Sequence, residues 1–265
     1  MEASVGLLSF QSIDNLLKRH QKMCTVTYLP REGDNYLLTS NRDEAPARSP
    51  QNISHQRIAG QELAFPRDEA AGGTWIAISS ANRLACILNG AFEKHERRPP
   101  YRRSRGLMAL DFFDYPSAED FLKRYQFEGM EPFTMIALER GQLLEFRWDE
   151  HHGYLQWLDA SQPWIWSSSP LYPREIRRKR EQWFAEWLKG KGHYTRNDIL
   201  DFHRNAGEGD PWNDVVMNRG GIVRTVSITS IVKEDTFMDM QYHDLLNKQM
   251  KQIKIGLQGE VVGSR

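Results

Sequence analysis

Strand-forming segments in this chain come in adjacent pairs joined by short turns, and helices follow in blocks instead of alternating with single strands. Residues 25–28 and 36–40 flank Pro30-Arg31-Glu32-Gly33-Asp34-Asn35, a connection made of turn formers. Residues 75–79 and 84–88 flank Ser80-Ala81-Asn82-Arg83 as a second hairpin, entered through Gly72-Gly73. Helical stretches cover 104–113 and 118–125, the second with Ser117 and Asp120 spaced as N-cap partners. Segments 133–138, 143–148 and 154–158 have the spacing of an antiparallel meander. A long helix spans 173–188, with Ile176, Trp183, Phe184, Trp187 and Leu188 read as its apolar face. The charges Arg174, Glu175, Arg177, Arg178, Lys179, Arg180 and Glu181 are read as its solvated side. A short helix over 197–205 and strands over 222–228 and 237–242 close the pattern. This order implies an α+β fold with antiparallel sheets, not a doubly wound parallel sheet.

The charge balance narrows the partners. Thirty-five basic and 35 acidic side chains leave no net field to draw in nucleic acid. Mean hydropathy is −0.64 and no apolar run is long enough to span a membrane. Cys24 and Cys86 do not make a disulfide framework, so a reducing, cytoplasmic setting is expected. No metal site is expected either: His151 and His152 are adjacent and point to opposite faces of a strand. The partner class left is a small amphipathic or anionic ligand. Residues 1–23 read as an N-terminal extension or removable leader, and 24–265 as one domain.

Cys24 is the candidate nucleophile. Alternation puts it on one face with Val26 and Tyr28, which suits a core cysteine equally well. The argument for chemistry is Asn41-Arg42-Asp43-Glu44 at the end of the paired strand, where an antiparallel return brings it to the start of the Cys24 strand. An N-terminal cysteine carries its own base, because an α-amine titrates near ~8 and a thiol near ~8.5. An internal Cys24 has no such base, so the scheme requires release of its nitrogen. Asp43 would then hold the amine, and Arg42 would favour the thiolate. Without Cys24 chemistry, Asn41 to Glu44 reads as a solvated turn with internal ion pairs. The densest basic run, Arg97-Arg98-Pro99-Pro100-Tyr101-Arg102-Arg103-Ser104-Arg105, reads as a solvated loop or as a capture site for a carboxylate, phosphate or CoA-type headgroup.

Met23-Cys24-Thr25-Val26-Thr27, Ser40-Asn41-Arg42-Asp43-Glu44, Gly72-Gly73-Thr74-Trp75 and Leu88-Asn89-Gly90, in that order, resemble the NRDE family, the Transport and Golgi organisation protein 2 family. Arg103-Ser104-Arg105-Gly106 also fits, and the resemblance runs over roughly residues 24–232. The family is similar to N-terminal nucleophile hydrolases, which implies a four-layer αββα sandwich of two antiparallel sheets between helices. Among these, the choloylglycine hydrolase and penicillin V acylase group implies a catalytic Asp at Asp43 and an oxyanion donor at Asn89. Substrate-binding positions implied or suggested are Asn41, Ser168, Arg103, Arg105 and Arg224. Two departures stand out. The acylase group carries an arginine upstream where this chain has Ser40, its own arginine being Arg42. Ser168 stands where that group has an asparagine before Ser-Pro. The resemblance therefore implies either a cysteine amidohydrolase acting on a non-peptide C–N bond or a non-enzymatic carrier of haem, lipid or acyl-CoA. The sequence has no Cys-x-x-Cys-His for covalent haem attachment.

Overall fold

The protein is described by a computed structural model over residues 23–169 and 172–258. The leader assigned from sequence lies, apart from Met23, outside the described residues. The chain opens with the hairpin β1 (Met23–Pro30) and β2 (Tyr36–Glu44). Four strands follow: β3 (Ile53–Ile58), β4 (Gln61–Pro66), β5 (Ile76–Ser79) and β6 (Arg83–Asn89). Helices α1 (Arg105–Asp111) and α2 (Ala118–Arg124) precede the meander β7 (Phe133–Glu139), β8 (Gln142–Trp148) and β9 (Gly153–Leu158). After β10 (Trp164–Ser167) come α3 (Arg174–Leu188) and α4 (Arg196–Asn205). The strands β11 (Asn218–Arg219), β12 (Val223–Glu234), β13 (Phe237–Asp244) and β14 (Gln249–Gly256) finish the fold.

Two antiparallel sheets result. One has the order β10-β1-β2-β12-β13-β14 with β11 beside β12, and the other runs β3 to β9 in sequence order. Period-two alternation divides each strand between two cores. Cys24, Val26, Tyr28, Leu38, Ile78, Cys86 and Ile136 meet between the sheets. Leu29 and Leu37 point the other way, against Phe184 of α3 and Phe202 of α4. On the second sheet, Ala77, Ala85 and Met135 face Met108, Phe112 and Phe121 of the α1–α2 layer. The layers therefore stack as helices, sheet, sheet, helices: a four-layer αββα sandwich.

Local chemistry sets the helix starts. Ser104 caps α1 by accepting from the Leu107 N–H, and Ser117 caps α2 by accepting from the Asp120 N–H. Thr195 and Asp198 form a reciprocal capping box on α4. Among the described residues, no helix is long and apolar enough to cross a membrane.

The strands β3, β4, β10 and β14 were not legible in the sequence. β3 and β14 are sheet edges rich in polar residues, and β10 is four residues long. One assignment is reversed: Arg180 is fully buried and does not lie on a solvated side of α3. Its position, four residues from both Ile176 and Phe184, places it on their face of the helix.

Candidate active site

Cys24 sits directly opposite Arg42 in the β1–β2 register, and Met23 opposite Asp43. All nine residues of β2 are buried, so the Asn41–Glu44 stretch is interior strand and not a turn. Alternation sends Arg42 between the sheets and sends Asn41 and Asp43 toward the α3–α4 layer. On the other side of β2, β12 carries an irregularity: Thr225 pairs with Asp43 and Ser227 with Arg42, leaving Val226 as the extra residue. Such a bulge re-aims neighbouring side chains, and here it keeps Thr225 on the same face as Asp43.

These elements enclose a cavity of about 450 Å³. Cys24, Arg42, Asp43, Asn89, Arg103 and Arg105 all line it, joined by Trp75, Ile87, Ile222 and Val223 as apolar wall. Three other residues singled out from sequence do not line it. Asn41 is committed to α4: its amide donates to the carbonyls of His203 (3.0 Å) and Val215 (2.9 Å). Its Oδ1 meets His203 Nδ1 at 2.6 Å, which leaves no part of the side chain for a ligand. Ser168 instead serves the backbone of Cys24. Its Oγ accepts from the Cys24 N–H at 3.2 Å, and its own N–H donates to the Cys24 carbonyl at 3.1 Å. Arg224 is the strand neighbour of Glu44, and the next residue, Val223, is the one in the wall.

The cavity arginines are held by carboxylates. Arg42 donates to Asp68 at 2.6 Å, lies 3.5 Å from Glu44 and stacks 4.1 Å over the Trp75 ring. Arg48 shares Asp68 (2.5 Å) and Glu44 (3.4 Å). Across the cavity, Glu131 receives Arg105 (3.1 Å), Arg97 (3.2 Å) and His95 (3.3 Å). Arg103 forks onto Asp111, 2.8 Å through Nε, and so ties the segment before α1 to the last residue of that helix. Paired guanidinium groups of this kind have fixed orientation, so the wall is pre-shaped. Asp68, Arg48, Glu131, Trp75, Tyr172, Thr225 and Arg180 were missed as site residues. They come from separate loops and strands, and for Arg180 alone the helical spacing was an available signal. Among the described residues, no group of three or more His, Cys, Asp or Glu is placed to hold a metal ion.

Burial dominates the titration of the central groups. It pushes the Cys24 thiol well above its ordinary value, and Asp43 adds to the rise while Arg42 opposes it. Burial also lifts the Asp43 carboxyl from 3.8 to about 6, against the opposing pull of Arg180, Thr225 and Tyr172. Asp43 Oδ1 accepts from the Thr225 hydroxyl (2.5 Å) and Oδ2 from the Tyr172 hydroxyl (3.2 Å). A carboxyl whose folded pKa exceeds its unfolded one stabilises the fold below the unfolded value, and that stability is lost as pH rises through the folded value. The window here is from 3.8 to about 6, worth on the order of 3 kcal/mol. Asp43→Asn is therefore expected to be more stable than the parent at about pH 8, by roughly 1–3 kcal/mol, and nearly equal at about pH 4. Urea unfolding at the two pH values checks this, and a variant weaker than the parent at the higher pH would contradict it.

The four-layer fold is shared with solved structures of hydrolases. A conjugated bile acid hydrolase from Clostridium perfringens, solved as an alanine-for-cysteine mutant, is similar at a TM-score of 0.50 and 11% identity, over 88% of this chain and 92% of that one. Its leucine-for-arginine variant matches at 0.50 and 10%, over 91% and 100%. The family model described as Transport and Golgi organisation 2 matches residues 23–151, just under half of the chain, and contains the hairpin, the Asn41–Glu44 stretch, Gly72-Gly73 and Asn89. The resemblance drawn from those motifs thus rests on a family match and on the fold together. No curated protein matches the sequence.

Proposed function

We propose that this chain is a cysteine N-terminal nucleophile amidohydrolase acting on a non-peptide C–N bond of a small amphipathic or acyl substrate. The observation that carries this reading is Cys24 itself: it is the second residue of the first strand of the sandwich and lines the cavity together with Asp43 and Asn89. In the uncut chain its nitrogen is an amide, donated to Ser168, and its thiol is held protonated by burial. Release of residues 1–23 turns that nitrogen into an amine at the same place. The amine takes the thiol proton as Sγ attacks the carbonyl carbon. The side-chain amide of Asn89 stabilises the oxyanion, and the amine returns the proton to the leaving nitrogen. Water then hydrolyses the thioester. The wall of Trp75, Ile87, Ile222 and Val223 suits an acyl portion, and the arginines suit a polar or anionic end.

Intact mass and N-terminal sequencing of the natively expressed protein test the reading, together with thiol labelling and turnover of an amide library. A protein that keeps Cys24 internal, unlabelled and without turnover rules it out.

A second reading, a non-enzymatic carrier, is favoured by one observation: the wall is already complete with Cys24 bonded to Met23. Of the carried molecules, an acyl-CoA-type anion suits the arginines. Haem is less well served: among the described residues no His or Met lines the cavity and the Cys24 thiol is protonated, which leaves the Tyr101 phenol as a candidate axial ligand. Anion binding that persists in Cys24→Ala without any turnover would favour the carrier.

A further inference from the structure

Behind the Cys24 strand, on the side away from the cavity, lies a buried charge that the scheme above does not use. Arg180 of α3 is fully buried, and a guanidinium taken out of water costs several kcal/mol unless something repays it. It donates to neutral oxygens: the Thr25 hydroxyl, the Asn213 carbonyl (2.9 Å) and the Asp214 carbonyl (2.7 Å). Its flat face lies 3.7 Å over the ring of Tyr172. The hydroxyl of that same ring donates to Asp43 Oδ2 at 3.2 Å. Thr25 is the residue after Cys24, so one side chain grips both the nucleophile's strand and, through a tyrosine, the aspartate opposite it.

We propose that Arg180 is a positioning residue for the Cys24 centre, holding Asp43 through Tyr172 as an oriented carboxylate at the Cys24 end of the hairpin. This deepens the hydrolase reading and rests on it. A helix thus supplies the charge, from the face of the sheet away from the cavity. The other groups around Asp43 do not replace it. Thr225 is neutral, and Cys24 lies across the hairpin. His203 of α4 is kept neutral by burial, its pKa lowered to about 3. Arg42 is committed to Asp68 and Glu44 between the sheets. Arg219 is half-buried and donates to the Trp212 carbonyl at 3.0 Å, and it lies farther from the tyrosine ring, at 5.7 Å. A purely structural arginine, bracing the 213–214 carbonyls, needs no link to Asp43.

Titration of the Asp43 carboxyl by carbon-13 NMR in the full chain, assigned by its loss in Asp43→Asn, separates these roles. Arg180→Met is expected to move the Asp43 midpoint up by about one unit, and Arg180→Lys to restore most of that shift. Arg219→Met is expected to move it by a few tenths at most, because solvent screens that charge. Should Arg180→Met fail to fold, Tyr172→Phe carries the test. It keeps the ring under the guanidinium and removes only the hydroxyl, and about half a unit upward is expected. Midpoints unchanged in Tyr172→Phe and in whichever Arg180 variants fold would overturn the proposal. The carboxyl midpoint is the readout here, because the rise of turnover with pH belongs to the Cys24 amine, near ~8, above the range in which Asp43 titrates. A chain with no turnover at all removes the hydrolase reading, and the positioning role with it, while the NMR titration still reports whether Arg180 sets the charge of Asp43.

Discussion

Cys24→Ala is expected to abolish amide turnover by the chain that begins at Cys24, by a factor on the order of 10⁴ or more, and to leave the fold intact. The size follows from the chemistry. Without Sγ no thioester forms, and the remaining oxyanion donor and binding groups give only a small acceleration over water. The fold survives because Cys24 is one member of a large apolar cluster between the sheets, and losing one sulfur there costs about 1 kcal/mol. The same centre sets a pH dependence. Burial and Asp43 both raise the thiol pKa, so in the proposed mechanism the thiol depends on an amine freed at Cys24 as its base. Turnover should therefore rise with pH through the amine's titration, near ~8 or somewhat above because Asp43 is close. Cys24→Ser keeps the amine but offers a far weaker acid to it, and it too should lose most activity. Retention of turnover in Cys24→Ala, measured on protein whose mass shows the alanine first, would sink the mechanism.

The parts of this site that were legible in the sequence are those written in contiguous strand. The hairpin register follows from two alternating runs and a turn, so the placing of Arg42 and Asp43 at the Cys24 end of the hairpin needed only counting. Strands occurring in pairs implied antiparallel sheets, and their stacking into a sandwich came from the resemblance. What stayed hidden is what the tertiary fold assembles. Asp68 comes from a loop after β4, Glu131 from the loop before β7 and Tyr172 from the connection into α3, and none carries a spacing that links it to Cys24. The Asn41 assignment came from the polar cluster at the strand end and the Ser168 assignment from resemblance alone. Side-chain direction decides both: strand alternation turns Asn41 to α4, and the β1–β10 pairing brings Ser168 to the Cys24 backbone. Arg180 is the informative failure. A run of charges on a helix was read as one solvated face, although 3.6-residue geometry had already divided that run between two. Charge identity outweighed position, and position was the better guide.

Gly73→Ala is expected to destabilise the protein by about 3 kcal/mol or more and to open the cavity wall, a far larger effect than the change of one methyl usually brings. A Cβ at Gly73 would stand 2.3 Å from the Gly106 carbonyl carbon, 2.6 Å from its oxygen and 2.7 Å from the Leu107 nitrogen. These are backbone atoms in the first turn of α1, and no rotamer change relieves the overlap. The crossing is fastened on both sides: Thr74 N–H donates to the Gly106 carbonyl at 3.0 Å, and Asp68 N–H to the Gly73 carbonyl at 2.9 Å. Pushing the two segments apart therefore moves Asp68, which orders Arg42 and Arg48, and α1, which begins at Arg105 and whose Asp111 holds Arg103. Gly72→Ala is the control. That residue has φ +69° and nothing within 4 Å of an added Cβ, so only the left-handed backbone is penalised, by about 1–2 kcal/mol. Urea midpoints for the two variants, read beside Cys24 labelling rates, distinguish a close backbone crossing from ordinary turn strain. If Gly73→Ala loses no more stability than Gly72→Ala, the crossing is not what shapes the wall. If it loses more, the two glycine motifs have one explanation: each is half of a contact that no side chain fits.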